Sequence, residues 1–201
     1  MRISPIAAGL AALMVAAPGA LAAEKSAAVD LAQKVCATCH GPTGRSISPT
    51  FPRLAGQQAE YLDTEIKAFR DQSRADPHAQ AFMWGMAAQL TDPTIKDLAA
   101  YYAAQAPVAG SGGNPAEIAA GEKLYREGDE KRDIPACQAC HGEKAEGAGA
   151  IPRLAGQHRD YLERQLEAFA GSLRANEIMH NNSKGLSALQ ISQVAAFLSA
   201  Q

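Results

Sequence analysis

Cys36-Ala-Thr-Cys-His40 is written a second time in this chain, as Cys137-Gln-Ala-Cys-His141. Outward from that pair the copying continues. Phe51-Pro-Arg-Leu-Ala-Gly-Gln57 returns as Ile151-Pro-Arg-Leu-Ala-Gly-Gln157, and Tyr61, Leu62, Phe69 and Arg74 return as Tyr161, Leu162, Phe169 and Arg174, at a constant offset of 100. Leu90-Thr-Asp-Pro-Thr-Ile-Lys-Asp-Leu-Ala-Ala-Tyr101 matches Leu186-Ser-Ala-Leu-Gln-Ile-Ser-Gln-Val-Ala-Ala-Phe197 at an offset of 96, so the second copy lost four residues between those blocks. One structural unit is present twice.

Between the copies lies Pro107-Val-Ala-Gly-Ser-Gly-Gly-Asn-Pro115, with the Gly/Pro composition of a linker. The expected organisation is a first domain over residues 23–106, a linker over 107–114 and a second domain over 115–201. Residues 1–22 read as a cleaved secretory signal. Arg2 precedes an apolar run that ends near Ala17, and Ala20-Leu21-Ala22 supplies small residues for signal peptidase. The run is too short to cross a bilayer. Cleavage would remove one basic residue from the 19 basic and 21 acidic ones and move the net charge from −2 to −3. A nucleic-acid binder needs a basic patch, and none is evident.

Each copy reads as helical. Tyr61, Leu62, Ile66 and Phe69 share one helix face, as do Tyr161, Leu162, Leu166 and Phe169. The last segment of each copy opens on a residue suited to an N-cap, Thr91 or Ser187. It then places Ile95, Leu98 and Tyr102, or Ile191, Val194 and Leu198, at helical spacing. No run alternates as a strand. Charged residues make up 20% of the chain and apolar ones 47%, which places it among globular proteins, but aromatics are only 5%, so each small lobe needs a staple beyond its apolar core.

Cys-x-x-Cys-His supplies that staple, because it is the attachment sequence of c-type haem. Two thiols one helical turn apart form thioethers to the two vinyl groups of one porphyrin, and the next residue turns its imidazole onto the iron. Cys36 and Cys39, and Cys137 and Cys140, are the expected attachment pairs of two covalent haem c groups, with His40 and His141 as proximal ligands. A thioredoxin-like redox pair would need a βαβ setting, and a disulfide closing so short a loop would be a poor staple. A shared zinc site would have to join pairs a whole copy apart.

A methionine opposite histidine raises the haem potential. Met83 stands seven residues before Leu90, as Met179 stands seven before Leu186, whereas Met86 aligns with Asn182. Met83 and Met179 are therefore the expected second ligands, with Met86 the competitor. His78 and His180 are read as exposed polar residues rather than ligands. The Pro52 and Pro152 carbonyls are candidate acceptors for the proximal ring N–H, with a plain segment end as the equal alternative. Arg53 and Arg153 are candidates for haem propionates or for surface positions in a shared turn. The charged stretch Glu127-Gly-Asp-Glu-Lys-Arg-Asp-Ile134 is expected to be a solvated loop.

Together these blocks resemble the cytochrome c4 family of dihaem proteins. The resemblance runs from about Ala27 to Gln201 and implies an all-α fold of two tandem class I cytochrome c lobes. It also implies His40 with Met83, and His141 with Met179, as axial pairs. By the same resemblance the protein would carry single electrons in the periplasm, from a quinol-oxidising cytochrome bc complex toward a terminal haem-copper oxidase. Loose association with the periplasmic membrane face is compatible with that role. One departure is Glu177-Ile-Met-His-Asn-Asn-Ser-Lys-Gly-Leu186, which is more polar than is usual in the family. Two other roles compete. The chain would otherwise be the dihaem electron-accepting subunit of a sulfide-oxidising flavocytochrome, or a dihaem peroxidase. A peroxidase needs an open iron face and is usually longer, with less symmetric halves. An iron with both axial positions filled cannot bind a substrate, so no enzymatic activity is expected.

Overall fold

The computed structural model describes residues 27–201, and the stretch read as a signal lies outside the described residues. The first lobe has four helices: α1 (27–40), α2 (Ala59–Arg70), α3 (77–87) and α4 (Asp92–Ala103). The second repeats the plan as α5 (Pro115–Glu127), α6 (Gln138–His141), α7 (Arg159–Ala170), α8 (Glu177–Ser183) and α9 (Ala188–Ser199). The described residues form no sheet, only the isolated bridges Asp129–Ile134 and Ala148–Ile151. No helix among them is long and apolar enough to cross a membrane.

Local chemistry sets the helix ends. Thr91 Oγ1 accepts from the Thr94 N–H to open α4. At α9, Ser187 Oγ accepts from the Gln190 N–H while Gln190 Oε1 accepts from the Ser187 N–H, the reciprocal pair that satisfies two otherwise orphaned donors. Asn114 caps α5, with Pro115 at a position whose missing N–H costs nothing.

The final helix of each lobe carries its core. Ile95, Leu98, Ala99 and Tyr102 of α4 are buried, as are Ile191, Val194, Ala195 and Leu198 of α9, each set spaced to form one stripe. Against α4 the first helix packs Ala28 and Ala32, while against α9 the second lobe packs Leu124 and Tyr125. The aromatic payload of the second core is larger, with the Tyr125 and Phe197 rings 5.3 Å apart.

Two segments read as loose are pinned. The Gly110 N–H donates to the Gln201 carbonyl and the Ser111 N–H to that of Ser199, which lays the linker along the end of α9. Gly156, at φ +69°, makes room for it: a Cβ there would lie 2.2 Å from the Val108 oxygen. The charged stretch 127–134, expected to be solvated, is tied at both ends. Gln190 Nε2 donates to Asp129 Oδ2, Arg132 Nε donates to the Gly185 carbonyl, and Ile134 is buried in the second core.

Candidate haem sites and the lobe boundary

Helix α1 takes a π-helical turn over Ala32–Cys36 and a last α turn over Ala37–His40, which places Cys36 and Cys39 one turn apart. Helix α6 does the same for Cys140 relative to Cys137. All four thiols are free. Burial pushes the Cys36 thiol up, and pushes that of Cys137 up to about 11, the reverse of the lowered value a thiol redox pair requires. Among the described residues no three His, Cys, Asp or Glu side chains converge on a metal-sized site.

His40 and His141 are buried, and each puts Nδ1 on a proline carbonyl: Pro52 at 2.9 Å and Pro152 at 3.1 Å. A carbonyl only accepts, so Nδ1 carries the proton and donates, leaving the Nε2 lone pair bare. Burial lowers both imidazoles below their ordinary pKa, against the opposing pull of the carbonyl. Each ring is thereby neutral, oriented and ready to ligate through Nε2.

Met83 ends a π-helical turn, Ala79–Met83, and is half-buried, whereas Met86 is 48% exposed. In the first lobe the His40 and Phe51 rings lie 6.1 Å apart and those of Phe51 and Phe82 5.3 Å apart, so an aromatic row runs from the histidine to the residue beside Met83. Ile151 and Ile178 occupy those positions in the second lobe and leave the row absent there. Met179 is held by polar contacts instead. Asn176 Oδ1 accepts from the Met179 N–H, Ser183 Oγ donates to the Met179 carbonyl, and His180 Nδ1 donates to the Phe169 carbonyl. His180 is thus half-buried and anchored rather than exposed, while His78 is exposed as expected. The His180 ring bond ties this polar methionine segment to the end of α7.

Arg53 and Arg153, open between two roles in the sequence, lie at the boundary between the lobes. Gln57 Oε1 accepts from the Arg153 N–H and Gln57 Nε2 donates to the Arg153 carbonyl; Gln157 does the same to Arg53. Equivalent residues therefore meet across a pseudo-two-fold axis. Arg53 Nε and Arg153 Nε are buried without a hydrogen-bond partner, two orphaned donors that suit a carboxylate-bearing group. Four free thiols, two bare imidazole nitrogens and these two guanidinium donors fit a pair of c-type haems with their propionates.

A second boundary cluster escaped the sequence reading. Arg74 and Arg174 are buried, each stacked on its own lobe's phenylalanine, Phe69 at 4.7 Å and Phe169 at 4.5 Å. Arg74 donates to Glu65, Asp76, Gln165 and Tyr161; Arg174 donates to Glu65, Gln165 and Tyr61. Tyr61 and Tyr161, which share a helix face with apolar neighbours, reach the opposite lobe. Burial alone would raise the Glu65 carboxyl, but the Arg174 and Arg74 guanidiniums hold it below its ordinary value.

Two small helical lobes, each with a free Cys-x-x-Cys pair, an oriented histidine and a methionine segment, define a two-lobed c-type cytochrome. The comparisons agree. The family described as Cytochrome c matches residues 26–104 and again 118–201. Cytochrome c4 of Thiocapsa roseopersicina is 42% identical over 174 residues, covering 83% of this chain and 87% of that protein. A thiosulfate dehydrogenase electron acceptor of Thiomonas intermedia is 35% identical over 199 residues, covering 96% and 88%. The solved structure of Acidithiobacillus ferrooxidans cytochrome c4 superposes with a TM-score of 0.78 at 40% identity, over 83% of this chain and 98% of that one. The chain belongs to the cytochrome c4 family and is a dihaem electron carrier.

Proposed function

We propose that this protein carries single electrons in the periplasm between larger redox complexes, after cleavage of residues 1–22. In this reading Cys36 and Cys39 hold one haem c and Cys137 and Cys140 the other. His40 with Met83 would ligate one iron, and His141 with Met179 the other. Bound haem supplies the one-electron chemistry; the chain supplies orientation, burial and charge. The observation that carries the reading is the paired histidine geometry. Both rings donate through Nδ1 to a proline carbonyl and present Nε2 unprotonated.

The donor and acceptor have two readings. The family resemblance favours a quinol-oxidising cytochrome bc complex as donor and a haem-copper oxidase as acceptor. The similarity to a thiosulfate dehydrogenase electron acceptor favours a periplasmic dehydrogenase as donor instead.

Optical spectra of the haem-loaded protein test the ligand set. The far-red methionine-to-iron band should fall by about half in Met83→Ala and in Met179→Ala and stay whole in Met86→Ala. A band untouched by one of the first two substitutions would give that iron another ligand or an open face, and would reopen the enzymatic reading. Reduction of the protein by quinol-driven bc complex, compared with reduction by a thiosulfate-oxidising enzyme, separates the two donors.

A further inference from the structure

The boundary cluster is symmetric in shape and one-sided in charge. Glu65 and Gln165 occupy equivalent positions on α2 and α7, and each accepts hydrogen bonds from both buried arginines. Arg74 Nη1 lies 2.5 Å from Glu65 Oε2 and Arg174 Nη2 lies 2.6 Å from Glu65 Oε1. Gln165 Oε1 takes Arg74 Nη2 at 2.8 Å and Arg174 Nη1 at 2.5 Å. The other carboxylate, Asp76, binds Arg74 Nε within its own lobe at 2.9 Å. Its counterpart Asn176 is neutral and is turned away to cap α8. Both carboxylates therefore come from the first lobe, and the only ion pair Arg174 makes among the described residues is with Glu65.

Each arginine opens the segment that leads to a methionine. Beyond Arg74, whose carbonyl accepts from Trp84 Nε1 at 2.8 Å, the chain runs through the π-helical turn that ends on Met83. Beyond Arg174 it runs through the Asn176 cap to Met179 five residues later. A buried guanidinium that loses its carboxylate is left with an uncompensated charge, which destabilises the arrangement that buries it; Arg74 keeps Asp76, whereas Arg174 has Glu65 alone among the described residues.

We propose that Glu65 is a positioning residue for both iron sites: through Arg74 and Arg174 it holds the Met83 segment of its own lobe and, across the boundary, the Met179 segment of the other. This rests on the reading of Met83 and Met179 as axial ligands. The two sites are then one mechanical unit, with the second methionine held by a residue of the first lobe.

The test uses the full haem-loaded chain in a Met83→Ala background, where the remaining far-red band belongs to Met179. Imidazole is the probe, because it competes with the methionine for ferric iron. Glu65→Gln keeps the shape and removes the charge. It should raise the apparent imidazole affinity of the second haem about tenfold, the size of effect that follows from losing one charge-assisted hydrogen bond. Glu65→Gln combined with Gln165→Glu returns a carboxylate to the same two arginines from the opposite side and should restore the original affinity. Arg164→Ala removes the α7 contacts to the Pro49 and Thr50 carbonyls of the first lobe, so it disturbs the boundary without touching Arg174 or the clasp beside His141, and should leave it unchanged. Imidazole affinity indifferent to residue 65, with the band still dependent on Met179, overturns this inference and leaves the ligand reading standing. A second-lobe band that survives Met179→Ala overturns the ligand reading itself. Equal effects of Arg164→Ala and Glu65→Gln would reduce Glu65 to a general boundary contact and also overturn the proposal.

Discussion

Gln57 holds the backbone of Arg153 at both of its polar groups, accepting from its N–H at 2.7 Å and donating to its carbonyl at 2.9 Å. The side-chain amide thus stands where a neighbouring strand would, and Gln157 mirrors it on Arg53. Such a clasp fixes where the two proline carbonyls lie, because Pro52 and Pro152 immediately precede the clasped arginines. The orientation of His40 is therefore set partly by the second lobe, and that of His141 partly by the first.

Gln57→Ala strands the Arg153 N–H and carbonyl in a buried boundary, at about 1–3 kcal/mol per stranded group. The variant should unfold at lower urea concentration, with a larger radius of gyration by X-ray scattering before the main transition. A scattering profile and midpoint equal to wild type would show that the boundary does not depend on the clasp.

Acid should loosen the boundary. Arg174 and Arg74 hold Glu65 below its ordinary value against burial, and Arg74 does the same for Asp76. A group whose folded pKa is depressed stabilises the fold above its unfolded pKa, about 4.3 for Glu and 3.9 for Asp, and that stabilisation is lost as pH falls through the depressed folded value. Unfolding free energy should therefore hold steady from neutral pH to about 5 as far as these two groups are concerned, and fall below about 4. Glu65→Gln should be less stable than wild type at pH 7 and lose less on acidification. Parallel pH profiles for the two proteins would remove Glu65 from the account.

The parts of this molecule visible in its sequence are those with local signals. Thr91 and Ser187 announce helix starts because a cap and its target lie three residues apart. The haem pairs announce themselves because their spacing is one helical turn. The Pro52 and Pro152 carbonyls stayed undecided because a segment end and an acceptor look alike until the fold brings them to the histidine. The boundary had no local signal. Gln57, Glu65 and Gln165 meet partners in the other copy, and a polar residue on a helix face reads as solvated whether water or another lobe covers it. The available clue was Arg74 and Arg174, kept at the same place in both copies just past the ends of α2 and α7. His180 was misread for a related reason: its acceptor, the Phe169 carbonyl, belongs to the end of the preceding helix.

Asn176 should repay a direct test, since α8 has only seven residues and its cap is also the start of the Met179 segment. Asn176→Ala removes the acceptor for the Met179 N–H and should cost about 1 kcal/mol. Asn176→Asp keeps the cap and places a negative charge at the helix start, where it is favourable by about 0.3–1 kcal/mol. The order of thermal midpoints should be Asp at or above wild type, and Ala below it. Equal midpoints for all three would mean that α8 is held by its packing alone.

Gly121 sets how closely α5 can approach α9. A Cβ at this position would lie 2.0 Å from the Gln193 carbonyl oxygen and 2.9 Å from Phe197 Cβ, and both belong to a helix that cannot yield locally. Two effects oppose each other in Gly121→Ala. Alanine gains about 0.8–1.0 kcal/mol of helix propensity, while forcing a methyl into a packed crossing costs about 1–3 kcal/mol or more. At a 2.0 Å approach to backbone the second effect wins, so the variant should be destabilised. The loss should fall on the second lobe, whose core is the α5–α9 crossing. In a Met83→Ala background the far-red band of the second lobe should disappear at lower temperature in Gly121→Ala than in its parent. In a Met179→Ala background the first-lobe band should melt with little change. Loss of both bands together would show instead that the boundary couples the lobes tightly enough for them to unfold as one.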